Sequence, residues 1–222
     1  MNRPARATAV VVAFAAVVGV VVGMALYLIG YPPTVAAAST SSGEESITLQ
    51  TVPAINSGDH PTWVSYMVLQ GSQWVHSTAL QVHANSVVHF TIYQFDTGSP
   101  LRNSFMDQVQ GTVGGIEILN GTPVHLINDF SDNGIGHSFA IPSLAVSVPL
   151  PGVSADAKNP CSTPAPCPMS SDHNTVQFTI RTGAAGTYQW QCFVPCALGF
   201  PLGNGGPMST FGYMSGYLKV VA

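Results

Sequence analysis

Hydrophobic and polar residues alternate with a period of two through much of this chain, the pattern of strands with one buried face. Ile47, Leu49 and Val52 begin a first strand. Leu80 to Phe95 predicts two strands around a tight turn at Ala84-Asn85-Ser86; in the second, Val88, Phe90 and Ile92 share one face, and His89, Thr91 and Tyr93 share the other. Val176, Phe178 and Ile180 alternate with Gln177 and Thr179. Gly183-Ala-Ala-Gly186 then turns the chain into Thr187–Cys192, where Tyr188, Trp190 and Cys192 point the same way. Tyr217 to Val221 makes a last strand. No amphipathic helix longer than two turns and no repeat is seen beyond residue 46. Short strands punctuated by Gly, Pro and Asn predict an all-β sandwich over residues 46–222.

The N-terminus departs from this pattern. From Thr8 to Gly30 no residue is charged, and Val, Ala, Leu and Ile dominate. A run of that length suffices for one membrane-spanning helix, which needs about 20 residues. Arg3 and Arg6 precede the run, and the next positive charge is Arg102. The positive-inside bias therefore places residues 1–7 in the cytoplasm, an anchor at 8–30 in the cell membrane, and everything after it outside the cytoplasm. A cleaved signal peptide is the rival, with Ala36-Ala37-Ala38 as a small-residue cleavage site, although those residues lie well past the apolar run. Residues 31–45, rich in Pro, Ser and Ala, read as a flexible linker.

Charge is sparse: only 7% of residues are Asp, Glu, Lys or Arg, with a net charge of −4. No basic patch exists to neutralise phosphates, which excludes nucleic-acid binding. High apolar content with low net charge excludes bulk disorder. Neither G-x-S-x-G nor H-E-x-x-H occurs, and carboxylates are too few to nominate an acid/base pair, so a hydrolase, and an enzyme generally, is not expected.

The remaining chemistry lies in sulfur and imidazole. All four cysteines follow the apolar run, on the side where disulfides persist. Cys161 and Cys167 flank Ser-Thr-Pro-Ala-Pro, which favours a local disulfide. Cys192 and Cys196, spaced C-x3-C, allow either a disulfide or metal ligation. His137 stands 55 residues before Cys192, after a polar, Gly-broken loop from Asn128, and Met208 and Met214 lie in the Gly-rich loop after it. Imidazole, thiolate and thioether gathered from distant loops suit copper. Each residue also has a plain role: His137 bonded to a buried carbonyl, the methionines filling core space. His60, His76, His83, His89 and His125 show no ligand spacing, and His173 has no evident role. Tyr188 and Trp190 read as core. Asn120-Gly-Thr122 is a glycosylation sequon that matters only where exported proteins are glycosylated.

Residues 78–222 resemble the cupredoxin family, which includes blue-copper proteins and the copper domain of cytochrome c oxidase subunit II. The loop into His137-Ser-Phe139 is similar to that family's first ligand histidine. GTYQWQC is similar to its penultimate strand ending in the ligand Cys192, and MSGYLKV from Met214 is similar to its axial methionine entering the last strand. The C-x3-C spacing also resembles the binuclear oxidase site. The resemblance implies Greek-key topology for the sandwich, and a copper-binding, membrane-held protein for electron transfer or Cu(I) handling, with His137, Cys192, Cys196, Met208 and Met214 as candidate ligands. A departure accompanies it, since both family patterns place a second histidine after the cysteine, and this chain has none after His173. A sulfur-rich replacement set favours Cu(I) over Cu(II). The alternative is a metal-free accessory or docking subunit of a respiratory oxidase, with Cys192–Cys196 oxidised. From residue 31 onward four Lys/Arg face ten Asp/Glu, an acidic balance that favours a cationic partner such as a c-type cytochrome. The apolar Gly199–Gly216 loop is a candidate docking surface.

Overall fold

A computed structural model describes residues 12–24, 34–39, 44–127, 133–162, 164–195 and 206–222. The chain divides into two compact units, Met1–Pro32 and Pro33–Ala222. In the first, residues 12–24 are helical, a rise of about 20 Å against the ~30 Å of a hydrocarbon core. Among the described residues no helix is long and apolar enough to cross a membrane. The ends of the span expected at 8–30 lie outside the described residues.

The second unit is a sandwich of two mixed sheets. One sheet joins β1 (Thr34–Ala36), β6 (Ala79–His83), β14 (Ser215–Val221), β13 (Gly186–Gln191), β10 (Ile135–Ile141) and β11 (Val146–Pro151), in that spatial order. The other runs β5 (Gln73–Val75), β4 (Ser65–Gln70), β3 (Glu45–Val52), β7 (Val87–Gln94), β12 (Asn174–Arg181), β8 (Glu117–Leu119) and β9 (Thr122–Val124), with β2 (Ala38–Ser39) added beside β3. Parallel pairs join β3 to β7, β6 to β14 and β1 to β6. Segments after residue 46 that form helical turns are single 3-10 turns.

One expectation needs correction. The segment read as a linker at 31–45 supplies β1 and β2, because Thr34–Ala36 pairs along the exposed edge of β6 and Ala38–Ser39 pairs with Ser46 and Glu45. The tight turn expected at Ala84–Ser86 stands between β6 and β7, as the alternation placed it. With Asn85 at φ 56°, it carries the chain from β6 in one sheet to β7 in the other.

The period-two faces meet between the sheets. Leu49, Phe90, Ile92, Val176, Phe178 and Ile180 from one side pack with Leu80, Phe139, Val148, Leu150, Trp190 and Leu218 from the other, all buried in one cluster. Phe90 stacks on Phe178 at 5.0 Å, and Phe139 lies 5.1 Å from both Phe90 and Trp190. Such ring pairs add about 0.5–1.5 kcal/mol each beyond area burial. A second, smaller cluster of Val52, Ile55, Met67, Phe95, Cys167 and Tyr213 sits beneath the Cys161–Cys167 disulfide, the pairing that local spacing favoured.

Candidate metal centre

β10 delivers His137 inward. All seven of its residues are buried, and its pairing with β11 slips between Ile135 and His137, a bulge of the kind that re-aims a side chain. The segment after β7 is clasped against this point. Ser99 bridges Ile135, Thr97 bridges Val153, and the Val153 N–H donates to the Asp96 carbonyl at 2.8 Å. The clasp depends on Gly136, because a Cβ there would collide with the Gln94 amide and lie 2.9 Å from the Thr97 carbonyl oxygen. Gln94 in turn accepts hydrogen bonds from the Thr51 hydroxyl and, at 3.1 Å, from the Asp96 N–H. Asp96 is thereby set 2.7 Å from His137 Nε2 through its Oδ2.

Cys192 follows β13 directly and lies beside this histidine. Its N–H donates to the Met214 carbonyl at 2.8 Å, fixing the cysteine against the start of β14. Its Sγ accepts the Ser138 N–H at 3.4 Å and lies 4.0 Å from His137 Nδ1. Ser138 closes the arrangement on three sides. Its hydroxyl oxygen accepts the Phe193 N–H at 2.9 Å, and its carbonyl accepts the Tyr66 hydroxyl at 3.1 Å. His137 is 2% exposed, and Cys192 and Met214 are fully buried.

Burial alone would lower the His137 pKa. Hydrogen bonds that the ring donates to Asp96 and Cys192, with the negative charges of those groups, outweigh it and raise the value to about 9. With its Nε2 proton held on Asp96, the imidazole turns Nδ1 towards the sulfur, the second-sphere arrangement that orients metal-binding histidines.

The donors His137 Nδ1 and Cys192 Sγ fit a soft metal ion, since one nitrogen bond and one sulfur bond together reach about 4.3 Å. Met214 shares the site through the hydrogen bond between its carbonyl and Cys192. Met208 is half-buried on the turn before β14. Cys196 lies outside the described residues, as do Asn128 to Asp132 of the polar loop and the Gly199–Gly205 part of the Gly-rich loop. Among the described residues no cluster of three or more His, Cys, Asp or Glu is placed to hold a metal. Asp96 and Ser138 were not singled out in the sequence. Ser138 follows the histidine in the quoted motif, but Asp96 carries no spacing signal because a cross-sheet clasp brings it to the site.

The other histidines are elsewhere. His60 stacks on Trp63 at 3.7 Å, and His76 bonds the Gly212 carbonyl. His83 pairs with Glu45, His89 with Glu44, and His173 packs against Tyr93 and Phe95. Trp190 is core, as read from its alternation. The sequon's Asn120 has both ends of its amide engaged, accepting from Thr175 N–H and donating to Asn174 Oδ1, each at 2.8 Å.

No family model matches this chain, and no curated protein does. Among solved structures it is similar to rusticyanin from Thiobacillus ferrooxidans, at 15% identity, a TM-score of 0.34, and coverage of 84% of this chain and 81% of that one. A reduced form of rusticyanin gives 15%, 0.34, 84% and 83%. A further structure, titled a copper protein, gives 15%, 0.33, 84% and 82%. At that identity and TM-score the likeness does not establish kinship.

Proposed function

We propose that this chain is a cupredoxin-like, copper-binding protein that carries electrons or handles Cu(I) outside the cytoplasm. The observation that carries this is the buried pairing of His137 Nδ1 and Cys192 Sγ at 4.0 Å, with Asp96 behind the histidine and the Ser138 N–H on the sulfur. His137 and Cys192 hold the ion. Met214 supplies a thioether from the adjoining strand, with Cys196 or Met208 completing the set. Bound copper would supply a one-electron couple, or a Cu(I) reservoir. The protein's part is to hold the imidazole in one tautomer, to donate an amide proton to the thiolate, and to exclude water. The charge-free run from Thr8 to Gly30 after Arg3 and Arg6 supports a single-pass anchor in the cell membrane. The acidic balance beyond residue 31 supports a cationic partner, such as a c-type cytochrome or a terminal oxidase.

Copper titration of the purified chain, followed by optical absorption, EPR and a Cu(I) competition assay, tests the reading. One copper per chain is expected, lost in Cys192→Ser. Asp96→Asn is expected to bind about 10–100-fold more weakly, the usual effect of losing an outer-sphere partner. An intense thiolate-to-copper band marks electron transfer, and tight Cu(I) uptake without it marks copper handling. No stoichiometric copper in either state, with Cys192 and Cys196 bridged, overturns the proposal in favour of a metal-free accessory subunit.

A further inference from the structure

A groove of about 790 Å³ opens beside β10, lined by Ala140 of that strand and by Phe193. Its volume lies within the range of small-molecule pockets, about 300–1,000 Å³. The floor is made of small or branched residues, Ala140 and Val146, each 3% exposed. Two aromatic rings stand at the rim, Phe105 and Phe193, exposed by 52% and 44%. Among the described residues few large apolar side chains outside the N-terminal helix are exposed, and two at one opening make a contact surface for a flat apolar group.

The wall carrying Phe105 is preformed. It is a 3-10 turn, Ser104–Asp107, whose N-terminal cap is the Asn103 side chain accepting the Phe105 N–H at 3.2 Å. The opposite wall follows β10 through Pro142 into β11. Among the described residues, the one cation lining the groove is Arg102. It is exposed and, among the described residues, makes no ion pair or hydrogen bond. It is one of only four cations from residue 31 onward, where acidic residues outnumber them. An unneutralised guanidinium at the mouth of an apolar groove suits a carboxylate, which it receives through two parallel hydrogen bonds.

We propose that this groove binds a small aromatic or otherwise flat apolar carboxylic acid, its ring between Phe105 and Phe193 and its carboxylate on Arg102. The site uses none of the candidate metal ligands, so it stands or falls separately from copper binding.

Calorimetric titration of the full-length chain with 2-naphthoate, and with the uncharged 2-naphthamide, tests it. Saturable one-to-one binding of naphthoate is expected, at least tenfold tighter than the amide. Arg102→Gln is expected to remove that preference while leaving amide binding unchanged, and Phe193→Ala to weaken both. Arg102 is a surface residue, and a near-UV circular dichroism spectrum unchanged from the parent shows that the variant keeps its fold. Absence of saturable naphthoate binding, or a preference that survives in Arg102→Gln, overturns the proposal.

Discussion

Glu117 is the residue least at ease in this fold. It is fully buried on β8, neither carboxylate oxygen has a hydrogen-bond partner among the described residues, and desolvation pushes its pKa up to about 9. The folded chain therefore keeps a proton there that the unfolded chain releases near its ordinary value of 4.5. The stability this contributes is fully present below pH 4.5 and is lost as pH rises towards 9, by up to roughly tenfold in the folding constant per pH unit. His137 acts in the same direction in the metal-free chain, between 6.5 and about 9. Glu117→Gln is expected to flatten the dependence between pH 4.5 and 6.5 and to raise stability at neutral pH, as measured by urea unfolding at a series of pH values. Legibility at this scale was uneven. His137, Cys192 and Met214 were readable as candidates because each lies near a strand end, His137 early in β10, Cys192 just after β13 and Met214 just before β14. Asp96 and Glu117 were not, because what makes them unusual is the neighbour or the burial that folding supplies.

At the scale of elements, the site depends on three strand ends brought together: the bulged start of β10, the end of β13 and the start of β14. The bulge tolerates no side chain at Gly136. Gly136→Ala is expected to destabilise the chain by about 1–3 kcal/mol, the usual cost of overpacking, and to displace the Asp96 segment. Urea unfolding measures the first effect, and the loss of the Asp96–His137 hydrogen bond in a crystal structure or NMR spectrum shows the second. Strands with one wet face, such as β7 and β12, were legible from alternation alone. β10 was harder to read by period, since both of its faces are buried. β1 and β2 were hidden by composition. Thr34 to Ser39 has few large apolar residues, yet Val35 is buried against β6, and edge pairing needs only backbone groups.

At the scale of the whole molecule, a chain with so few charges feels each one. The sequence isoelectric point is about 5.9. At that pH the folded chain holds Glu117 neutral while the unfolded chain holds it charged. The native isoelectric point is therefore expected to lie above that of the urea-unfolded chain, and Glu117→Gln to remove most of the gap on isoelectric focusing gels. The two apolar clusters also divide the three tryptophans. Trp190 lies in the main core, fully buried between Tyr66 and Phe139, whereas Trp63 and Trp74 pack half-exposed on the smaller cluster. The molecule thus carries two emission colours, blue from the sealed indole and red from the wetted pair. A soluble quencher such as iodide extinguishes the red first, so fluorescence distinguishes loosening of the disulfide-capped cluster from melting of the sandwich.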